Sequence, residues 1–600
     1  MRHLSTGFGG RHVGAFFSSC GARAYNGDVS DDLSTVVEGR RARLERAEGR
    51  WRPLGLAARF DLHAGRHPDR PFVITDAAAY TYAEVRDWSV RLACGLYAIG
   101  VRPGEAVALV VDNRPEFAAA KLAIARLGAT AVPVNFSYRA EELAAVLARS
   151  RATVLISIDA SIGVDRLSVL DELVPGWERG RGGDRLPHLR DVLLVSAAAR
   201  PDARDLAWLA ERGAGVDASV VRRLADEVDP HGPCDIVFTS GTSGYPLGAV
   251  LTHDMVLRSA YGAAYHRAFA DGWRVGFSLP MYHVFGYIEG LLAAMFAGGA
   301  VVPHAVFNAR GMLAAVQRHA VNEVLFVPTM SVAVVDEAAR HDYDLSSLES
   351  VMSAAAPAPV RLWEQIVARL RPRMLFTGYG QTEVSAATTL TLPGDPLEVV
   401  AGTVGRAKLG GTAAAGEPDG VLARYRTVDP FGGAVLPGGA EGELSVRGPI
   451  VTRGYFDDAE RTAELIDADG WLRTGDLGRI RPDGYLELTG RSKELFKVGG
   501  ELVAPKEVEQ RLTDHEAVGQ AYVAGVPDER LGEVGWAWVV PADGAHPTEA
   551  ELIRHCRASL AAFKVPRGIR LLTPDDLPMT TTGKIQKYRL VAGLRTTAAD

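Results

Sequence analysis

The sequence predicts an α/β protein: a large N-terminal domain of mostly parallel sheets flanked by helices, with a β-rich subdomain, then a small α+β C-terminal domain. Three observations predict it. Strand-length apolar runs alternate with helical stretches, the pattern of parallel sheets covered by helices on both faces. A Gly-, Ala- and Pro-rich stretch at 405–442 reads as β-turn material. The pattern changes near 489–491 into shorter, mixed segments. At 600 residues the chain also exceeds what one core supports, so at least two domains are expected.

In order, residues 36–51 are highly charged and read as a helix. Residues 82–99 carry apolar side chains at helical spacing; 106–111 form a short apolar strand, 115–127 a helix and 130–135 a strand. Residues 141–149 and 153–158 repeat the helix–strand unit. The most apolar run, 290–303, is shorter than the ~20 residues of a membrane-spanning helix, so it reads as a buried helix turning into a buried strand. Past 490, segments at 493–498, 503–512, 521–526, 537–540, 549–560 and 568–572 suggest the small domain. The expected division is an extension at 1–50, partly disordered, a large domain at 51–490 and a C-terminal domain at 491–600.

Composition excludes several classes. A net charge of −7 leaves no basic field for nucleic acid. Cys20, Cys94, Cys234 and Cys556 are scattered, with no metal or disulfide spacing, which suits a reducing compartment. Residues 1–30 hold Arg2, Arg11 and Arg23 and no acid before Asp28, a transit-peptide composition. A disordered tail or an upstream start codon explains it as well, and a cytoplasmic location is expected. Six of the eight lysines fall after residue 490, where a compact ammonium rather than a guanidinium is expected to be needed.

The sharpest motif is Phe238-Thr239-Ser240-Gly241-Thr242-Ser243-Gly244-Tyr245-Pro246-Leu247-Gly248, following an apolar strand at 235–238. Its glycines let backbone approach a ligand, and its hydroxyls and N–H groups can wrap phosphate oxygens. No Gly-Lys-Ser/Thr closes it, so it is not a Walker A loop. Taken alone it is as readily a flexible loop. Four further motifs follow in order: Tyr379-Gly380-Gln381-Thr382-Glu383, Trp471-Leu472-Arg473-Thr474-Gly475-Asp476, Gly490-Arg491-Ser492-Lys493-Glu494-Leu495-Phe496-Lys497, and Thr580-Thr581-Thr582-Gly583-Lys584.

This ordered set resembles the adenylate-forming superfamily of acyl-CoA synthetases, luciferases and peptide-synthetase adenylation domains, over roughly residues 51–592. The subgroup it looks most like is the bacterial fatty-acyl-CoA synthetases. The resemblance implies ATP, Mg²⁺ and coenzyme A as cofactors and a small-molecule carboxylic acid as substrate, activated as acyl-AMP with pyrophosphate release. It implies that Thr239, Ser240, Gly241, Thr242, Ser243 and Gly244 bind phosphates, and that Thr382 bonds the α-phosphate. Glu383 would hold Mg²⁺, a hard cation suited to a carboxylate. Tyr379 would stack on adenine opposite Ala355 and Ala356, Asp476 would accept both ribose hydroxyls, and Arg491 would back it. Lys584 would stabilise charge during adenylation. Lys493 would be the hinge of a mobile C-terminal domain, and Lys497 would face the site in the thiol step. Tyr282, His283, Gly286 and Ala354 would line the acid pocket, with His283 as its gate. Tyr287 and 384–387 add an uncharged wall, and the absence of an Asp in 281–286 disfavours an amino-acid substrate. A fatty or related hydrophobic acid is expected.

The sequence departs from the family pattern in three places. Leu247 stands where the family usually has lysine. Ser353-Ala354-Ala355-Ala356-Pro357 is poorer in glycine than the usual adenine turn. Residues 410–420 look like an insertion. Two other readings fit the same motifs: a ligase whose acceptor is a carrier-protein thiol or an amine, and a degenerate nucleotide-binding relative. Segments 525–528 and 563–567 match family segments near the thiol entry and favour coenzyme A. No transmembrane segment is expected, and the oligomeric state is a monomer or a homodimer.

Overall fold

The computed structural model describes residues 30–161, 163–179, 183, 185–197, 200, 202–240, 246–499, 501–579 and 585–597. Two large sheets form the body. One runs in the order Met374–Phe376, Ser350–Ser353, Glu323–Phe326, Arg274–Phe277, Ala300–Pro303, Pro71–Ile74, Ala79–Thr81, with every pair parallel except the last. The other runs Pro246–Thr252, Pro233–Ser240, Thr130–Pro133, Ala106–Val110, Val154–Ser157, Asp191–Leu194, with only the first pair antiparallel. All five residues of Ala106–Val110 are buried, as expected of a strand covered on both faces.

Local chemistry sets the helix ends. Thr81 and Glu84 form a capping box before Tyr82–Ala98, with Glu84 N donating to Thr81 Oγ1 at 3.2 Å. Pro115 opens Pro115–Arg126, where its missing N–H costs nothing. The apolar run ends as expected in a buried strand, Ala300–Pro303, but it begins differently. Phe285–Leu292 winds as a π-helix before the short α-turn Ala293–Phe296.

The β-rich part is the antiparallel sheet Arg424–Val428, Gly442–Arg447, Leu472–Ile480, Leu486–Arg491. The 405–442 stretch is therefore more than turns, since it contains a full strand. The 410–420 segment is a packed 3₁₀ turn whose Ala413 and Ala414 are buried. Beyond 491 a smaller sheet joins Glu501–Val503, Phe496–Val498, Gly532–Pro541 and Val518–Asp528, with Gly568–Leu571 parallel to Gly532–Pro541. Its core includes Val503, Val508, Leu512, Val523, Val539 and Leu552.

Within the expected N-terminal extension, Ser30–Glu48 is a helix docked on the body. Arg40 pairs with Glu349 at 2.6 Å, Arg43 pairs with Asp271 at 2.7 Å, and Arg41 donates to the His266 carbonyl at 2.7 Å. The transit-peptide reading of 1–30 falls almost wholly outside the described residues. Cys94, Cys234 and Cys556 are free and buried. Among the described residues no helix is long and apolar enough to cross a membrane.

The two lysines before residue 490 are buried. Lys121 pairs with Asp235 at 2.9 Å and Lys408 with Glu289 at 3.2 Å, all four side chains being at most 2 % exposed. The compact ammonium is thus also used inside the core, a role the clustering of lysines after 490 did not suggest.

Candidate active site

Strand Gly378–Gln381 forms a hairpin with Ala386–Leu390. Gly380 permits it, because a Cβ there would stand 1.8 Å from Ala386 O. The hairpin presents Tyr379 toward strand Leu472–Ile480, where the Tyr379 hydroxyl donates to Asp476 Oδ2 at 2.5 Å. Arg491, opposite Asp476 in the neighbouring strand, pairs with Oδ1 at 2.9 Å. Three residues expected to bind one nucleotide therefore meet at one carboxylate. Burial, with the Asp476 charge added, pushes the Tyr379 hydroxyl well above the usual phenol range, so it remains a donor.

The carboxylate is itself positioned. Asp476 N donates to Thr474 Oγ1 at 3.2 Å, and Gly475 N donates to Glu443 Oε1 at 3.1 Å. Arg473 Nε holds Glu443 Oε2 at 3.1 Å. Glu443 stands in no motif and is legible only through the register of two strands.

Thr382 and Glu383 form a buried 3₁₀ turn at the hairpin end. Tyr455 donates its hydroxyl to Glu383 Oε1 at 3.0 Å, and Thr452 N donates to Glu383 O at 2.7 Å. The same segment reaches the strand that leaves the expected phosphate loop: Phe456 N donates to Gly248 O at 2.8 Å, Val250 N donates to Gly454 O at 3.0 Å, and Thr452 Oγ1 donates to Val250 O at 2.6 Å. Residues 452–456 thus tie the Glu383 turn to the hairpin of Pro233–Ser240 and Pro246–Thr252, a link the motifs did not reveal.

Thr239 and Ser240 end strand Pro233–Ser240, and Thr239 lies opposite Leu247, which is half-buried on Pro246–Thr252. Gly241, Thr242, Ser243 and Gly244 lie outside the described residues, as does Lys584. Ala354 is buried, whereas Ala355 and Ala356 are exposed. Ala355 has φ +72°, a left-handed backbone that favours glycine. Lys493 lies in the turn Ser492–Glu494, and Lys497 is exposed on Phe496–Val498, outside the Tyr379–Asp476–Arg491 group.

In the expected acid pocket, Tyr282 is buried edge-on to Phe136 with centroids 5.2 Å apart, and His283 Nδ1 accepts from Phe285 N at 3.2 Å. Gly286 is packed against backbone, since a Cβ would stand 2.5 Å from Leu279 O. Asn113 fixes this segment: it donates to Leu279 O at 2.9 Å and accepts from Met281 N at 2.7 Å. The uncharged wall expected around Tyr287 and 384–387 is corrected. Tyr287 stands 5.3 Å from the buried Lys121 ammonium, and Ala387 N donates to Glu289. Tyr287 and Glu289 face inward onto buried ion pairs, which a one-dimensional apolar count cannot detect.

Glu383 suits Mg²⁺, which is commonly held by one or two carboxylates together with substrate phosphates and water. Among the described residues no group of three or more His, Cys, Asp and Glu could hold a metal alone. The donor set therefore fits an ion that arrives on a triphosphate.

A family model described as AMP-binding enzyme matches residues 60–456, and one described as AMP-binding enzyme C-terminal domain matches residues 507–584. A methyl-dioxo-octahydroindenyl-propanoyl:CoA ligase of Mycobacterium tuberculosis is 36% identical, the match covering 87% of this chain and 96% of that protein. A putative acyl-CoA synthetase, YngI, of Bacillus subtilis is 33% identical over 88% of this chain and 94% of its own. Among solved structures, ATP-bound MatB from Rhodopseudomonas palustris superposes with a TM-score of 0.75 at 26% identity, covering 90% of this chain and 98% of that one.

Proposed function

The chain belongs to the AMP-binding enzyme family and is an AMP-forming acyl-CoA synthetase, and from that premise we propose that its substrate is a hydrophobic carboxylic acid, fatty or ring-bearing. The enzyme uses ATP and Mg²⁺ to make acyl-AMP and coenzyme A to take the acyl group. The apolar surroundings of the expected gate support a hydrophobic acid: Met281, Tyr282, Val284 and Phe285 are all buried and flank His283, and no acidic residue stands among them to hold an ammonium group. The Mycobacterium tuberculosis relative is named for a bicyclic propanoyl group, a hydrophobic acyl of this kind. We place the enzyme in the cytoplasm.

The observation that carries the site assignment is the shared carboxylate. Asp476, oriented by Tyr379 and Arg491, is the acceptor for the ribose hydroxyls. In the first half-reaction a carboxylate oxygen of the acid bonds to the α-phosphorus, the bond to the bridging oxygen breaks, and pyrophosphate leaves with that electron pair. Thr382 and the loop at 239–244 orient the phosphates, and Lys584 stabilises the charge that builds on the phosphoryl oxygens. Mg²⁺, when bound through Glu383, supplies neutralisation of phosphate charge. In the second half-reaction the thiol of coenzyme A gives its proton to solvent, its sulfur bonds to the acyl carbon, the acyl–oxygen bond breaks, and AMP leaves with that electron pair. Lys497 serves this step, after the C-terminal domain turns about Lys493.

The test is incubation with ATP, Mg²⁺ and a panel of aliphatic, aromatic, polycyclic, short dicarboxylic and amino acids, with and without coenzyme A. Pyrophosphate release with hydrophobic acids and a thioester product only with coenzyme A are expected. Turnover restricted to amino acids or short dicarboxylates would overturn the substrate class.

A further inference from the structure

The π-helix Phe285–Leu292 follows His283 and rests on a buried charge cluster that the nucleotide site does not use. Glu289 is 1 % exposed. Its Oε1 accepts from Lys408 Nζ at 3.2 Å and from the backbone N–H of Ala387 at 3.2 Å. Arg267 donates to Glu289 O at 2.7 Å and to Oε2 at 3.3 Å, and it also pairs with Glu323. Ser350 Oγ donates to Glu323 at 2.9 Å, and Lys408 donates to Ser259 Oγ at 2.8 Å. Two cations thus face two anions, as buried charges require.

The Ala387 bond distinguishes this cluster from a core ion pair. Ala387 pairs with Gly380 in the hairpin that carries Tyr379, four residues past Glu383. Ser259 Oγ, held by Lys408, donates to Ser385 O at 2.5 Å. The hairpin end is therefore held by two elements: Ser385 by Ser259 of the helix His253–His266, and Ala387 by Glu289 of the helix that follows the expected acid gate. A single carboxylate oxygen bonds to the nucleotide-side hairpin while its side chain belongs to the acid-side helix. π-helical turns are rare and concentrate at functional sites, and packed cores switch between arrangements rather than deform smoothly.

We propose that Glu289 is a positioning residue that couples the acid-pocket helix to the nucleotide-binding turn through the Ala387 N–H, so that acid and nucleotide each favour the other's binding. This rests on the acyl-CoA synthetase reading above. By linkage, AMP tightens acid binding by the same factor by which acid tightens AMP.

The experiment measures the dissociation constant of the acid with and without saturating AMP, by calorimetry. The probe is the acid that turns over fastest in the panel, octanoate being tried first; failure of every acid in that panel overturns the function and leaves the coupling aside. Wild type is expected to bind the acid about 5-fold more tightly with AMP. Two doubly substituted variants follow, each keeping the cluster neutral. Glu289→Gln with Lys408→Met retains an acceptor for Ala387 N–H and is expected to keep the coupling. Glu289→Met with Lys408→Met lacks the acceptor and is expected to lose it, with a raised KM for acid and a similar melting temperature. No coupling in wild type, or equal coupling in both variants, overturns the proposal. Should the second variant fail to fold, hydrogen exchange on the wild type decides: acid alone must slow exchange in a peptide covering 378–390, and unchanged exchange there overturns the proposal.

Discussion

The Tyr379 hydroxyl and the Asp476 carboxylate form one hydrogen-bonded unit at 2.5 Å, with Arg491 on the other carboxylate oxygen at 2.9 Å. The ring expected against adenine and the acid expected at ribose thus orient each other before any nucleotide arrives. Preorganisation of this kind lowers the cost of binding. Tyr379→Phe keeps the ring and removes the donor. A hydrogen bond to a charged group contributes about 1.5–3 kcal/mol, and Arg491 retains part of the orientation. The expected result is a rise of about 10-fold in the KM for ATP, matching ~1.4 kcal/mol, with the KM for acid unchanged. An unchanged KM for ATP means the bond does not orient Asp476 for the nucleotide.

How much of this was legible beforehand depended on whether a feature lay along the chain or across it. The alternation of apolar runs and helices located Tyr82–Ala98, Ala106–Val110 and Pro115–Arg126 to within a residue or two, because burial on both faces writes itself into consecutive residues. The motifs named Tyr379, Asp476 and Arg491, but not that they touch. Glu443, Tyr455, Asn113 and Glu289 stayed hidden, since each acts on backbone or a side chain far away in sequence, and that pairing exists only in the fold. The uncharged wall around Tyr287 failed only partly for that reason: Lys121 and Lys408 come from other elements, but Glu289 stands two residues along the same helix.

Ala355 sits at φ +72° in the turn expected beside adenine. A left-handed non-glycine residue costs ~1–2 kcal/mol, and glycine returns ~0.4–1 kcal/mol of that through its freer unfolded chain. Ala355→Gly is expected to raise the melting temperature by about 1 °C, because a domain this large spreads the gain over a large unfolding entropy. The KM for ATP should stay within about 2-fold if the alanine only stiffens the turn. A several-fold fall in that KM would show the methyl group crowding the nucleotide.

Lys584→Ala should nearly abolish acyl-AMP formation while sparing thioester formation from supplied acyl-AMP and coenzyme A, because its charge is needed only while the phosphoryl centre is attacked. Loss of both half-reactions to the same degree would remove the step-specific role.

Lys497→Ala should give the opposite profile. Lys497 is exposed on Phe496–Val498, a strand of the smaller sheet beyond residue 491. Normal pyrophosphate release with slow acyl transfer is therefore expected, measured as acyl-AMP accumulating in single-turnover mixtures. Equal loss in both steps would count against a turning C-terminal domain.

The last prediction concerns Leu247, where the family pattern has a cation. The structure sets it on the strand that leaves the expected phosphate loop, opposite Thr239, whose Oγ1 donates to the Leu247 carbonyl at 3.4 Å. Its neighbour Gly248 has little room for a side chain, since a Cβ would stand 2.6 Å from Ile236 Cγ2, and the ladder pairs Leu247 with Thr239 and Gly248 with Phe238. A lysine there would start from a half-buried strand position. Leu247→Lys is expected to lower the KM for ATP without altering acid preference, because the change lies at the pyrophosphate end of the site. The gain should fall within the ~1.5–3 kcal/mol of a charged hydrogen bond, or about 10- to 150-fold. Lost burial of the leucine works against it, at up to ~2 kcal/mol of stability, so the melting temperature should fall slightly. Initial rates across ATP concentrations, at saturating acid and coenzyme A, make the measurement. If KM is unchanged, the position faces away from the phosphates and the substitution of leucine is neutral for catalysis. If wild type releases no pyrophosphate with any acid while Leu247→Lys does, the natural chain has given up turnover at this residue.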